Sequence, residues 1–572
     1  MPSIKPKRAF GSEILTDFSG IGEGRRIGAT APSDLQNYRI RADGSLEKRC
    51  GWQTEFTFSK VLRGYWQGEL AGVNECFAVG GSSIWRRSNG TFREVGYLST
   101  TEGRVCFFAY RDRLYLLDGT AIFLYNATSG RFAKAVGYVP LYGRNWDPSE
   151  WGDVYEPLNL LSPRVRIHYA NMGSATYFEL PFYAVSIDCV RADGHILPSD
   201  QYDFTPYTNS FTLPMIYYTV EVAFTMTIGG EARENIVAAT QAYRIHDEEH
   251  EEVLLYGCPS GNFVFGTAPV DELMLNSAAI VCDGVDPLYC TASQQLAIGD
   301  SKHPVTTIRP VRDRWLAFTD AGVEAIVREK DSGLLSAYPI SDGIGCSVPG
   351  LDVSVDGDPI TVNESGIWRV TSTASEPDVL TPIRLSPDLD ALATEAFSKH
   401  AAACYVPRYG ELWFADPTDA EGVTYVYHLG GRRWYTFRGF RPAFFLAYDG
   451  RVGFADGKRI CSFVPTLTYD SDGLIEATLT SGYLTFGAPE ELKRSLRVNL
   501  LSDTDGNGFV LRLQSDRGER ILSSADTVPS GDAPTVFDCR VGMGRFRLLR
   551  AVLTDRGLGR SRLYRLALHA KL

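Results

Sequence analysis

Two stretches of this chain repeat one plan. Residues 75–96 (ECFAVGGSSIWRRSNGTFREVG) and 110–137 (YRDRLYLLDGTAIFLYNATSGRFAKAVG) each run as an apolar strand, a Gly-centred hairpin, a second strand, a polar turn ending in Gly, and a third strand. Gly81 and Gly119 hold equivalent places 38 residues apart, and Gly90 with Gly130 and Gly96 with Gly137 hold equivalent places at 40 and 41. A unit of this size cannot bury its apolar face alone. Repetition at about 40 residues, with roughly four short strands per unit, is the pattern of β-propeller blades stacked face to face.

The unit returns further along. Residues 306–327 turn at Asp320-Ala321-Gly322, and residues 358–370 turn at Ser365-Gly366. Residues 401–437 turn at Tyr409-Gly410 and Gly430-Gly431, and 443–462 turn at the hairpin dipeptides Asp449-Gly450 and Asp456-Gly457. The expectation is an all-β chain with a β-propeller of about six blades. Residues 142–300 break the rhythm. They open on a Trp/Pro-rich linker (Trp146, Pro148, Trp151, Pro157, Pro163) and continue with alternating strands around Asp193-Gly194 and Asn209-Ser210. This segment reads as a β-sandwich-like domain inserted on a propeller loop, where insertions cost least. After residue 470 the period-two alternation of 475–486, 494–501, 509–514 and 546–571 reads as a C-terminal β-domain with Arg on its solvent face. The expected division is therefore 1–141 (N-terminal segment and first blades), 142–300 (insertion), 301–470 (remaining blades) and 471–572. One helix is expected, over 388–400.

Composition agrees with many short strands and tight turns. Aromatics make up 12% with 29 Tyr and 30 Phe, there are 55 Gly, and Met numbers only 6. A net charge of −12 argues against a protein whose main work is gripping nucleic acid by its phosphates. Residues 541–572 are locally basic, with seven Arg and one Lys against Asp555. The 11 Cys include no C-x-x-C pair, and Cys50, Cys76, Cys106, Cys189 and Cys404 lie singly in apolar stretches, as small hydrophobes of a reducing compartment do. No secretion signal opens the sequence, and the longest apolar run, 214–228, contains Glu221 and is too short to span a bilayer. The expected site of synthesis is a cytoplasm.

Several motifs invite a chemical reading. His246-x-x-Glu249-His250 spells an inverted metalloprotease motif, which needs a helix to turn both His to one metal; an acidic run beside a strand, 247–252, is the plainer account. Asp503, Asp505, Asn507 and Gly508 match the first half of a calcium loop, but its twelfth position is Gln514, and a polar hairpin tip suffices. Gly20-Ile21-Gly22-Glu23-Gly24 and Gly542-Met543-Gly544 lack the strand-before, helix-after setting of a phosphate loop. Trp85, Trp315, Trp368, Trp413 and Trp434 fall at strand positions and read as blade core. The Arg series 545, 547, 550, 560, 562 and 565 reads either as a solvated strand face or as an interface for an acidic subunit or DNA phosphates. The sequence thus supplies no catalytic, cofactor-binding or metal-ligating set, and the chain is expected not to be an enzyme.

Residues 35–52 (LQNYRIRADGSLEKRCGW) resemble the N-terminal signature of the tail hub, or nozzle, proteins of short-tailed bacteriophages, on Asn37, Gly44, Leu46, Arg49 and Gly51. Residues 306–326, 340–370 and 541–554 follow that family in order and spacing. The resemblance implies a homo-hexameric structural tube in the virion tail, below the portal and its adaptor ring, assembled in the host cytoplasm. It implies tail fibre or needle proteins as partners, and genomic DNA that passes through the lumen without sequence-specific binding. The long insertion at 142–300 departs from the family pattern. Competing readings are another tail, baseplate or receptor-binding component, an intracellular propeller scaffold, and a carbohydrate-binding or carbohydrate-hydrolysing propeller, which needs a carboxylate pair about 5–10 Å apart.

Overall fold

The computed structural model describes residues 10–15, 32–159, 162–170, 173–227, 241–246, 251–257, 262–267, 270–276, 278–282, 286–289, 291, 293, 295–299, 303–312, 314–372, 380–387, 401–504, 509–523, 535–557 and 559–571. The helix expected over 388–400 lies outside them. The chain divides into two units, residues 63–350 and residues 1–62 with 351–572.

In the first unit, four four-stranded antiparallel meanders form blades: Leu62–Leu70 to Thr91–Tyr97, Cys106–Tyr110 to Arg131–Lys134, Gln241–His246 to Gln295–Ala297, and Val305–Val311 to Leu335–Asp342. The core lies between blades. Phe77, Val79 and Ile84 of one meet Leu114, Leu116 and Phe132 of the next, and Ile245 and Leu254 meet Ile308 and Ala317. Being covered on both faces, inner strands read as unbroken apolar runs rather than alternations, as in Arg113–Leu117 (RLYLL). The tight turns carry the residues their backbones need: Asn89 and Gly90, at φ 49° and 76°, form a turn that most side chains resist.

The second unit holds three more such meanders: Ser354–Val355 to Leu380–Arg384, Ala402–Val406 to Arg433–Phe437, and Phe444–Tyr448, Arg451–Asp456 and Arg459–Phe463 completed by Trp52–Thr57. The fold is all-β and of the propeller class, with seven blade-type sheets among the described residues. The additional one comes from residues 241–297, within the stretch expected to be the insertion. There a hairpin, Asn262–Thr267 with Val270–Asn276, is spliced between the second and third blade strands and breaks the repeat spacing.

The inserted domain is correspondingly shorter. Its seven-stranded sheet runs from Leu141–Trp146 to Val220–Met226. The 16-residue strand Tyr177–Ala192 pairs with Thr208–Thr212 through its first half and with Val220–Met226 through its second. Register shifts near Ala184 mark the change, and Val165, Ile167, Phe178, Leu180, Phe211, Val222 and Phe224 fill the enclosed core.

The C-terminal β-domain is two sheets sharing one core, and N-terminal strands help build both. Ser495–Thr504, Thr535–Val541 and Ser561–Lys571 form one sheet with Phe10–Leu15, Tyr38–Ile40 and Leu46–Lys48. Ala477–Ser481, Phe509–Ser515, Gly518–Ser523 and Leu549–Asp555 form the other, which Pro32–Gln36 joins to the blade strand Arg433–Phe437. The N-terminal segment, grouped with the first blades in the expected division, thus pairs with C-terminal strands. Strand pairing across more than 400 residues leaves no local trace in a sequence.

Candidate functional site

Of the five residues of the N-terminal signature, Asn37, Arg49 and Gly51 meet at one buried junction in the second unit, Leu46 lies in the core and Gly44 in an exposed turn. Asn37, at φ 57°, is the single residue between Pro32–Gln36 in one sheet and Tyr38–Ile40 in the other. Asn is among the few non-glycine residues that visit this left-handed region readily. Its side chain fixes the crossing: Nδ2 donates to the Glu476 carbonyl at 2.7 Å, and Oδ1 accepts from Arg49 Nε at 3.0 Å and Arg438 N–H at 2.8 Å. Arg49 also grips Asp470 through both terminal nitrogens, at 2.8 and 2.6 Å, and donates to the Cys50 and Arg438 carbonyls. Its side chain is 1% exposed and that of Asp470 6%. Leu46 is fully buried, and Gly44 closes the hairpin at φ 79°. Gly51 has no room for more: a Cβ there would lie 1.8 Å from the Tyr469 carbonyl oxygen.

A second ionic cluster adjoins it. Glu411 Oε1 accepts from Arg39 Nε and from the Tyr435 hydroxyl, both at 2.6 Å, and Oε2 accepts from Trp413 Nε1 at 2.8 Å. The Arg39 guanidinium lies 3.4 Å from the Tyr409 ring centroid. Burial alone would lower the Arg39 pKa, yet Glu411 drives it upward and keeps the guanidinium charged. Burial, and then the charge of Glu411, push the Tyr435 hydroxyl and Cys404 thiol up. Burial lowers the His428 pKa, and its Nδ1 accepts the Gly431 N–H at 3.0 Å. A third pair, Lys48 and Asp555 at 3.5 Å, is equally buried; Asp555 also accepts the Gly557 N–H and the Ser561 hydroxyl. These carboxylates hold strands together. Each has donors on both oxygens, which is the arrangement of a structural ion pair rather than of an acid or base poised for proton transfer.

The other unit has a polar node of its own. Asp118 accepts four backbone N–H groups, those of Ser99, Thr100, Thr120 and Ala121, together with the Thr120 hydroxyl. Arg63 donates to the Gly81, Thr100 and Gly103 carbonyls, so the pair ties the first two blades. Burial raises the Asp118 pKa, but the hydrogen bonds outweigh it and the net shift is downward.

The sequence motifs fall elsewhere. His246 ends a strand and pairs in register with Glu251; 247–250 lie outside the described residues. The acidic run is not simply solvated, because Glu251 pairs with Arg244 at 2.6 Å and Glu252 with Arg328 at 2.7 Å. Asp503 lies near the end of a strand of one C-terminal sheet and Gln514 in a strand of the other; 505–508, where the polar turn is expected, lie outside the described residues. Residues 20–24 also lie outside them, while Gly544 is a left-handed turn residue and the Gly542 carbonyl accepts Arg520 Nε. Trp413 and Trp434 are blade core, Trp85 is buried, and Trp315 and Trp368 are half-buried. Of the Arg series, Arg562 faces Glu47 at 3.7 Å, Arg560 donates to the Pro465 carbonyl and Arg550 covers Tyr483, whereas Arg545 and Arg547 are exposed. Glu411, Asp470 and Asp555 carry the junction and belong to no motif of the sequence. A lone acid in an apolar strand, as in Glu411–Ala415 (ELWFA), was the available signal. Among the described residues no group of three or more His, Cys, Asp or Glu is placed to hold a metal, and no helix is long and apolar enough to cross a membrane.

No family model matches the chain, and no curated protein matches it. Solved structures similar to it include the Pan2 WD40 domain of Neurospora crassa, at 8% identity and TM-score 0.32, covering 74% of this chain and 97% of that one. The WD40 domain of SCAP from fission yeast is similar at 8% identity and TM-score 0.27, covering 72% and 94%. The exo-beta-1,3-galactanase of Phanerochaete chrysosporium is similar at 10% identity and TM-score 0.20, covering 57% and 95%. At these scores the likenesses carry no functional weight; strand order and inter-blade packing carry the propeller assignment.

Proposed function

We propose that this chain is the tail hub, or nozzle, subunit of a short-tailed bacteriophage: a structural virion protein that forms a homo-hexameric tube below the portal adaptor, retains and conducts the genome, and links the tail to fibres or a needle. One observation carries the reading. Three of the residues by which the sequence resembles that family, Asn37, Arg49 and Gly51, act together at one buried junction that welds N-terminal strands to the C-terminal β-domain and a blade, while Leu46 lies in the core and Gly44 closes the exposed turn of the hairpin between them. A resemblance of scattered residues gains weight when they share one structural task. The network's buried carboxylates serve architecture, which suits a load-carrying wall. The insertion exposes Tyr177, Tyr183, Tyr207, Met215, Ile216 and Tyr218, and on this reading it provides contacts with neighbouring tail proteins.

The test is genetic and biochemical. In a phage encoding this chain, removing its gene is expected to give DNA-filled heads that leak their genome, restored by complementation, with the chain present in purified tails. Its absence from particles, or turnover of β-linked glycans by the purified protein, would instead favour the carbohydrate-active propeller.

A further inference from the structure

We infer that residues 32–57 form a clasp through which the C-terminal β-domain controls completion of the last blade, so that the outermost strand of that blade stays seated only while the β-domain is folded.

The strand Trp52–Thr57 supplies the fourth position of the blade Phe444–Tyr448, Arg451–Asp456 and Arg459–Phe463, pairing from Trp52↔Phe463 to Thr57↔Arg459. A single short edge strand joined by one ladder is weakly held by itself. The chain just before it is built into the β-domain. Pro32–Gln36 lies on Ala477–Ser481, and Leu46–Lys48 lies on Ser561–Lys571. Lys48 is anchored to Asp555 and to the Gly557 carbonyl, 509 residues distant in sequence.

Between anchor and blade strand there is no slack. Arg49 is tied to Asp470, 421 residues away, and Gly51 donates to the Leu467 carbonyl at 2.8 Å and accepts from Val464 N–H at 3.0 Å. Trp52 N–H reaches Asp470 Oδ1, and the Trp52 indole donates to the Gly439 carbonyl. Displacing Lys48 therefore pulls on a taut three-residue connection. Loss of the β-domain contacts frees Trp52–Thr57 and bares the edge Arg459–Phe463, whose unpaired backbone groups become available to another strand. The fold thus contains a latch: the blade edge is masked when the β-domain is assembled and exposed when it is not.

The test is peptide-resolved hydrogen exchange on the full chain with Asp555→Ala, a residue that touches neither blade strand, and with the milder Lys48→Met as second variant. The expected result is at least tenfold faster exchange in peptides covering 52–57 and 459–463, together with 549–571. Peptides of the other unit, 305–342, keep wild-type rates. Acceleration confined to 549–571, or no acceleration at either place in both variants, overturns the inference. If Asp555→Ala exchanges fast throughout, Lys48→Met decides by the same criterion.

Discussion

Asp470→Ala removes the carboxylate that Arg49, 1% exposed, holds with both terminal nitrogens and leaves the guanidinium buried without it. Two charge-assisted hydrogen bonds, at 2.8 and 2.6 Å, disappear, and the Trp52 N–H loses an acceptor. Stranding one member of a buried pair costs about 3–5 kcal/mol. Arg49→Met in the Asp470→Ala background removes the stranded charge, so the double variant is expected to be more stable than Asp470→Ala, with a coupling of about 2–3 kcal/mol. Urea unfolding followed by tryptophan fluorescence reads this, since Trp52, Trp413 and Trp434 all lie in the affected unit. A chain of two units need not unfold in one step, so the transition of that unit is the one compared. With an m-value of roughly 3 kcal/mol/M, the expected single-variant shift is about 1 M or more. Additive effects, or an Asp470→Ala cost below about 1 kcal/mol, would refute the claim that the signature Arg works through this pair.

Three further outcomes are expected. Asp118 has a folded pKa below the ordinary aspartate value, so its contribution to stability is complete above that value and drains away as pH falls through the folded pKa; Asp118→Asn should cost about 1–3 kcal/mol near neutrality and flatten the acid limb of a stability–pH curve. Gly51→Ala must push a Cβ against the Tyr469 carbonyl, while Gly44→Ala meets nothing within 4 Å and strains only its own backbone; thermal unfolding should show a larger loss for the former, and equal losses would count against the close approach. The Cys461 thiol, raised by burial to about 12, should resist iodoacetamide at pH 8 in the native protein and react once unfolded, as read by peptide mass spectrometry.

What was legible in the sequence was local. Gly-centred turns such as Asn89-Gly90 and Asp449-Gly450 determine their hairpins through two adjacent residues, and six blade units followed from them. The blade of 241–297 was hidden because a spliced hairpin separates its halves. The junction was half visible: Asn37, Arg49 and Gly51 stood out through resemblance, but their partners Glu476, Arg438 and Asp470 lie hundreds of residues away, in stretches with nothing unusual nearby. Glu411 illustrates the same limit, since Arg39 and Tyr435, distant in sequence, join its strand neighbour Trp413 in making a buried acid tolerable there.

Mass in solution tests the proposed role as a ring-forming structural subunit most directly. Native mass spectrometry of the purified chain, alone and with the neighbouring tail adaptor, is predicted to show six copies of the 63.2 kDa chain in one assembly. A species that remains a single 63.2 kDa chain at every concentration, with and without the adaptor, would contradict it.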